Sequence, residues 1–166
     1  MMLKKLLSIF LLITIALFIF QACNEKSYRN TISCNDISLQ LRESLSAPNK
    51  KFSQYSSDDL KFFFPAIELY DDICVAYSTD STDVREIGVL HASNEDNAKK
   101  LCEEAKAYIK TLQEEKSEFL RNYSPAELTK LNSADVKQYG NYIIFIIAES
   151  TERDNAFKSA EALLTK

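Results

Sequence analysis

The residues with chemical capacity are few, and their spacing limits what they could do. His91 is the single histidine, so a Ser-His-Asp triad or a Cys-His pair would have to be built around it. Pairing of the surrounding strands sets it across from Asp71 at the open end of a hairpin, where a hydrogen bond can form. A partly exposed histidine at a strand end needs no catalytic role. Carboxylates recur as Asp58-Asp59, Asp71-Asp72 and Asp80/Asp83, and glycosidases do use two acids. Neighbours on a strand point to opposite faces, so Asp71 and Asp72 cannot aim at one substrate. Asp80-Ser81-Thr82-Asp83 could touch calcium, but it lacks the glycine and terminal glutamate of an EF-hand loop and reads as turn chemistry. The chain has only Gly88 and Gly140, too few for a phosphate-binding glycine loop.

The four cysteines divide by position. Cys34, Cys74 and Cys102 form an odd set with no CxxC and no Cys/His spacing typical of zinc, so neither metal nor cofactor is expected. Cys74 and Cys102 read as small buried apolar residues, a disulfide between them being the alternative in an oxidising compartment. Cys23 differs, because it closes a long apolar run. Lys4 and Lys5 precede Leu6 to Phe20, and Gln21-Ala22 approach Cys23, which is the layout of a secretory signal. From Leu6 to Ala22 the run would rise roughly 25 Å as a helix, short of the ~30 Å hydrocarbon layer. Phe20-Gln21-Ala22-Cys23 resembles a bacterial lipobox, with the Ala-Cys pair intact, and with Phe20 and Gln21 standing where that pattern prefers leucine and a small residue. The resemblance implies a diacylglyceryl group on the Cys23 sulfur and cleavage before it. An uncleaved signal anchor and ordinary secretion are the alternatives.

Loss of residues 1–22 would remove two lysines and no acids, moving the net charge from -4 to -6. An acidic chain argues against nucleic acid as a partner. Lipid on Cys23 would hold the protein by hydrocarbon burial, about 0.8 kcal/mol per methylene, leaving charge to keep the domain off the bilayer. Three stretches follow: a signal peptide over 1–22, a polar tether over 23–35, and one domain over 36–166.

Along that domain, Asp36 to Ser46 sets Ile37, Leu41 and Leu45 at helical spacing, stopped by Pro48. Phe52 to Pro65 reads as one or two helical turns ending at the proline. Ile73–Ser78 and Glu86–Ala92 are β-prone runs around a turn-rich loop. Opposing Ile73 with Val89 and Val75 with Ile87 gathers the branched residues on one face. Ser93 opens a long helix through Tyr123 whose apolar stripe is interrupted at Glu115-Lys116, its charged side being a solvated face. Ser124-Pro125-Ala126-Glu127 starts a short helix ending near Leu131. Gly140-Asn141 makes a two-residue turn between Ala134–Gln138 and Tyr142–Ala148. Thr151 with Asp154 caps a last helix. The fold class is α+β: a four-stranded, mainly antiparallel sheet (ββαββα) with two helices on one face and an additional N-terminal helix.

The order and spacing of Glu86-Ile87-Gly88, the long charged helix, Phe119, Tyr123-Ser124-Pro125 leading to Glu127, and Gly140-Asn141-Tyr142 before an apolar strand resemble a family of small bacterial lipoproteins, DUF4358, typical of low-GC Gram-positive bacteria. The likeness runs roughly from Leu60 to Leu164. That family usually carries an acidic residue where Arg85 stands. The resemblance implies location and fold and leaves function open.

Both faces of the second hairpin are apolar, Ala134, Val136, Ile143, Phe145 and Ile147 on one and Tyr139, Tyr142, Ile144 and Ile146 on the other. The second face needs shielding. The Asp36–Ser46 helix and Phe62-Phe63-Phe64 are the internal cover; the alternative is that Tyr139, Tyr142, Ile144 and Ile146 receive an envelope protein or a second copy. The functional expectation is a lipid-anchored, non-catalytic binding or accessory module on the extracytoplasmic side of the cell membrane. The alternative is an envelope hydrolase using carboxylates.

Overall fold

The computed structural model describes residues 26–45 and 51–166. Cys23, the signal run and Pro48 lie outside the described residues. Helix α1 covers Cys34–Glu43; its N-cap Ser33 accepts a hydrogen bond from the Asp36 amide, so the helix opens two residues earlier than its apolar spacing suggests. Cys34 is thereby inside the fold, buried with Ile37, Leu41 and Leu45. Strand β1 is Phe52–Gln54 and helix α2 is Ser57–Phe63, opened by a capping box between Ser56 and Asp59. The helical turns expected between Phe52 and Pro65 are this helix; the three residues of strand ahead of its cap were not foreseen, too short a run for alternation to show.

Strands β2 (Tyr70–Ser78) and β3 (Glu86–Ala92) lead into helix α3 (Glu95–Tyr123) and helix α4 (Pro125–Asn132). Strands β4 (Asp135–Tyr139) and β5 (Tyr142–Ile147) precede helix α5 (Ser150–Leu164). The sheet has five strands, not four, in the order β1-β2-β3-β5-β4, and every neighbouring pair is antiparallel. Two caps differ from expectation: α3 is capped by Asn94, whose side chain accepts from the Asn97 amide, and α5 starts at Ser150 without a side-chain cap. Tyr139 pairs with Tyr142 across Gly140-Asn141, and Gly140 takes φ 60°, the left-handed conformation that such a turn requires of a residue without Cβ.

Helices cover both faces, which corrects the expectation that the two long helices share one. α3 packs through Ala98, Leu101, Ala105, Tyr108, Ile109 and Leu112 on the side bearing Val75, Leu90, Ile143, Phe145 and Ile147. α1 and α5 cover the side bearing Cys74, Ile87, Val89, Ile144 and Ile146. Each large apolar side chain so buried contributes about 1.5–3 kcal/mol, so two covered faces outweigh one. Strand β5 is buried at every position, as a strand sandwiched between helices must be. The same fact explains the β2–β3 register, slipped by one residue from the expected pairing: Ile73 opposes Leu90 and Val75 opposes Gly88. With both faces apolar, nothing requires the branched residues to gather on one. Phe64 lies under α3, so Phe62-Phe63-Phe64 does not cover the second face, whereas α1 does. A Cβ on Gly88 would fall 1.8 Å from the Phe145 ring; the bare backbone there is where that ring lies.

A strand of six or seven residues spans about 20 Å, while the 29 residues of α3 span about 44 Å. The helix therefore overruns the sheet. Its apolar stripe breaks at Glu115-Lys116 because the helix leaves the sheet there, and it continues unbroken with Phe119 and Tyr123 exposed.

Candidate functional site

The overrun leaves a cleft of about 620 Å³ between the last turns of α3 and the loop joining β2 to β3. Glu86, the first residue of β3, forms part of its lining. Alternation puts residues 86, 88, 90 and 92 on one face, the face α3 covers, so the carboxyl turns inward. It is 4% exposed. Its Oε1 accepts a hydrogen bond from the Tyr108 hydroxyl at 2.7 Å, and its Oε2 accepts one from the Tyr55 hydroxyl at 3.4 Å. Tyr108 comes from α3, and Tyr55 is held beside the sheet by the hydrogen bond its amide donates to the Val75 carbonyl at 3.1 Å.

Burial raises the Glu86 carboxyl to about 7, while the bonds from Tyr108 and Tyr55 and the charge of Lys116 pull the other way. Removing the carboxylate from water disfavours its charged form more than two phenols and one lysine favour it. Burial and the Glu86 charge in turn push both phenols up. The group thus changes charge in the neutral range, at the edge of a cavity walled by the Tyr55-Tyr77 ring pair, whose centroids are 4.4 Å apart, and by Phe119.

The opposite wall is fixed by buried ions. Arg85 donates to both carboxylate oxygens of Glu152, at 2.8 and 3.0 Å, and to Asp83 at 3.1 Å. Lys130 donates to Asp83 at 3.3 Å and to Glu127 at 2.5 Å, and the second Glu127 oxygen accepts from the Val84 amide at 3.0 Å. Burial alone would lower the Arg85 guanidinium, but Glu152 and Asp83 outweigh it and raise it. This network ties the β2–β3 loop to α4 and α5.

The residues singled out in the sequence lie elsewhere. Tyr139, Tyr142, Ile144 and Ile146 share one face as expected, but they are 5%, 1%, 0% and 0% exposed. The chain itself covers them: Tyr139 donates to the Phe157 carbonyl at 3.1 Å, and the Tyr142 hydroxyl donates to the Ile32 carbonyl and accepts from its amide. They offer no open surface, because α1, α5 and the segment before α1 fill the position a partner would take. His91 opposes Asp72 across an irregularity in β2, yet its Nδ1 still lies 2.6 Å from Asp71 Oδ1. No hydroxyl or thiol joins that pair among the described residues. Asp72 accepts from the Cys34 amide, Asp59 belongs to the α2 capping box, and Asp80 accepts from the Thr82 amide and hydroxyl, a turn as expected. Cys34, Cys74 and Cys102 are free thiols; Cys74 packs under α1 and Cys102 against the other core, so the sheet separates them. No group of three or more His, Cys, Asp and Glu among the described residues is arranged to hold a metal. The sequence signal for Glu86 was its place in alternation with Gly88 and Leu90; for Arg85 it was only the departure from an acidic residue, and for Tyr55 there was none.

A family model matches residues 46–148, described as a domain of unknown function (DUF4358). The chain belongs to this family. No curated protein and no solved structure matches it. The DUF4358 segment holds every residue lining the cleft and stops before α5, so the match begins earlier and ends sooner than the likeness read from the sequence. Glu152, which secures Arg85, lies beyond it. Among the described residues no helix is long and apolar enough to cross a membrane.

Proposed function

We propose that this DUF4358 protein is a lipid-anchored accessory module of the cell envelope that binds a ligand, without turning it over, in the cleft beside Glu86. The carrying observation is that cleft: a cavity of small-molecule size, lined in part by a buried carboxyl that titrates near 7 and by exposed aromatic surface at Phe119. The anchor part of the reading rests on the apolar run ending at Ala22-Cys23.

The test places a photo-crosslinking residue at Phe119 in the full chain, in envelope preparations. Ligand capture there, falling about tenfold or more on Glu86→Leu in a chain that still folds, is the expected result, since a ligand bonded to a buried carboxyl loses that much when the bond is removed. Equal capture from Lys158, on the exposed side of α5, would overturn it. Mass analysis of the N-terminus in the same preparation reads the anchor: a diacylglyceryl group on Cys23 supports it, and an intact Met1 refutes it.

One observation favours a hydrolase instead. A carboxyl neutral near pH 7 is what a general acid requires, and Glu115 lines the same cleft. The substitutions Glu86→Gln and Glu115→Gln separate the readings, because glutamine keeps hydrogen bonding but cannot deliver a proton. A binding module keeps its capture at Phe119 when Glu86→Gln is introduced, whereas a hydrolase loses turnover in either variant.

A further inference from the structure

The segment before α1, expected as a free tether, is fastened to the domain at one end of the sheet. Lys26 pairs with Glu161; the Ser27 carbonyl accepts from the Lys166 amide at 3.0 Å, and the Arg29 amide donates to the Leu164 carbonyl at 2.8 Å. Tyr28 forms a bridge with Thr165 and sets its ring edge-on to Tyr139, 5.7 Å between centroids. Ile32 is held through both its backbone groups by the Tyr142 hydroxyl. All these holds lie at the Gly140-Asn141 turn or at the C-terminal end of α5.

The cleft lies at the other end. Along β3, Glu86 opposes Ile147 while His91 opposes Tyr142, and five residues of strand separate them by about 17 Å. The β2–β3 loop and the overrunning end of α3 extend the cleft end further.

We infer that this docked strap orients the domain on the bilayer, with the Gly140-Asn141 turn and the C-terminal end of α5 against the headgroups and the Glu86 cleft facing away. The inference rests on the reading of Cys23 as the lipid-bearing residue. Only Asn24 and Glu25 separate Cys23 from Lys26, and three residue steps reach at most about 11 Å. If the strap were free as far as Ser33, ten steps would reach about 35 Å and the domain could turn either way. Docking removes that freedom. The partner of the strap end is therefore the bilayer surface itself, and the cleft meets ligands from the aqueous side rather than from lipid.

The chain has no tryptophan, so one introduced indole, excited at the red edge where tyrosine does not absorb, is the only donor for energy transfer to dansyl-labelled lipid. Arg29→Trp reports the strap and Ser81→Trp the cleft rim; both positions are exposed. Each full chain, lipidated and placed in phosphatidylcholine vesicles carrying the dansyl lipid, is compared by transfer efficiency. Transfer from position 29 is expected to exceed that from position 81 by about threefold or more, given the strand length between them. Lys26→Ala, Tyr28→Ala and Tyr142→Phe together remove the side-chain holds on the strap, and should bring that ratio towards unity in a domain whose circular dichroism is unchanged. Equal transfer from both positions with the strap intact overturns the orientation, and a ratio indifferent to the triple change overturns the strap as its cause. A chain whose mass shows no lipid on Cys23 sinks the anchor reading and the inference together, so the spectrum tells the two failures apart.

Discussion

Glu86 and Asp71 stand at opposite ends of the β2–β3 hairpin, and each carboxyl holds a short hydrogen bond to a ring-bearing side chain, 2.7 Å to Tyr108 and 2.6 Å to His91. Their surroundings differ. The Asp71 side chain is 56% exposed, so water competes for its charge and the pair is worth little. Glu86 is closed in by α3 and has no such solvent to fall back on. Bond length is thus a poor guide to which carboxyl is chemically distinctive; the decisive quantity is how much water is left when the bond is made.

The contrast can be broken first at the ions beside Glu86. Arg85→Ala leaves the Glu152 carboxylate buried without its bidentate partner and should cost about 3–5 kcal/mol in urea denaturation. The next effect is a slope. Glu86 titrates at about 7 in the fold against 4.5 when free, so the folded state binds its proton more tightly. Its favourable contribution is complete below pH 4.5 and is lost as pH rises to about 7, a fall of roughly 3 kcal/mol at most. Denaturation midpoints across that window should show the decline, and Glu86→Gln should flatten it. The smallest effect belongs to the other end: Asp71→Asn should change stability by no more than about 1 kcal/mol and leave the slope in place. If Asp71→Asn cost more than Arg85→Ala, the distinction between the two ends would be gone.

The second hairpin was legible in full, because Gly140-Asn141 fixes the turn and strict alternation then assigns Ile143, Phe145 and Ile147 to one side and Tyr142, Ile144 and Ile146 to the other. The first hairpin was not. Its loop is long and carries no such turn, and its residues are apolar on both sides, so neither turn geometry nor patterning selects a register. Which face each helix covers was hidden for a related reason: a stripe shows that a helix buries one side, not what it is buried against. Glu86 was noted as part of the Glu86-Ile87-Gly88 pattern but not as a site residue, because it stands at the head of an apolar strand, where a charge usually marks the end of burial. Asp83 read as a turn residue, and only the approach of Lys130, and of Glu152 to the neighbouring Arg85, from distant parts of the chain makes it part of a buried ionic cluster. Tyr142 was read as covered by the chain itself, with a surface anchor for a partner as the alternative. It is an anchor, and the partner is Ile32 of its own chain.

That last contact carries a mechanical consequence. Ile32 is gripped by Tyr142, on a strand hydrogen-bonded along both sides. Tension arriving through the N-terminal segment would therefore enter the turn end of an interior strand and pass to the neighbours on both of its sides. The short contacts ahead of it, from Lys26 to Arg29, would yield first, like stitches along a seam. The recess between α3 and the β2–β3 loop, a strand's length away, would keep its shape under load.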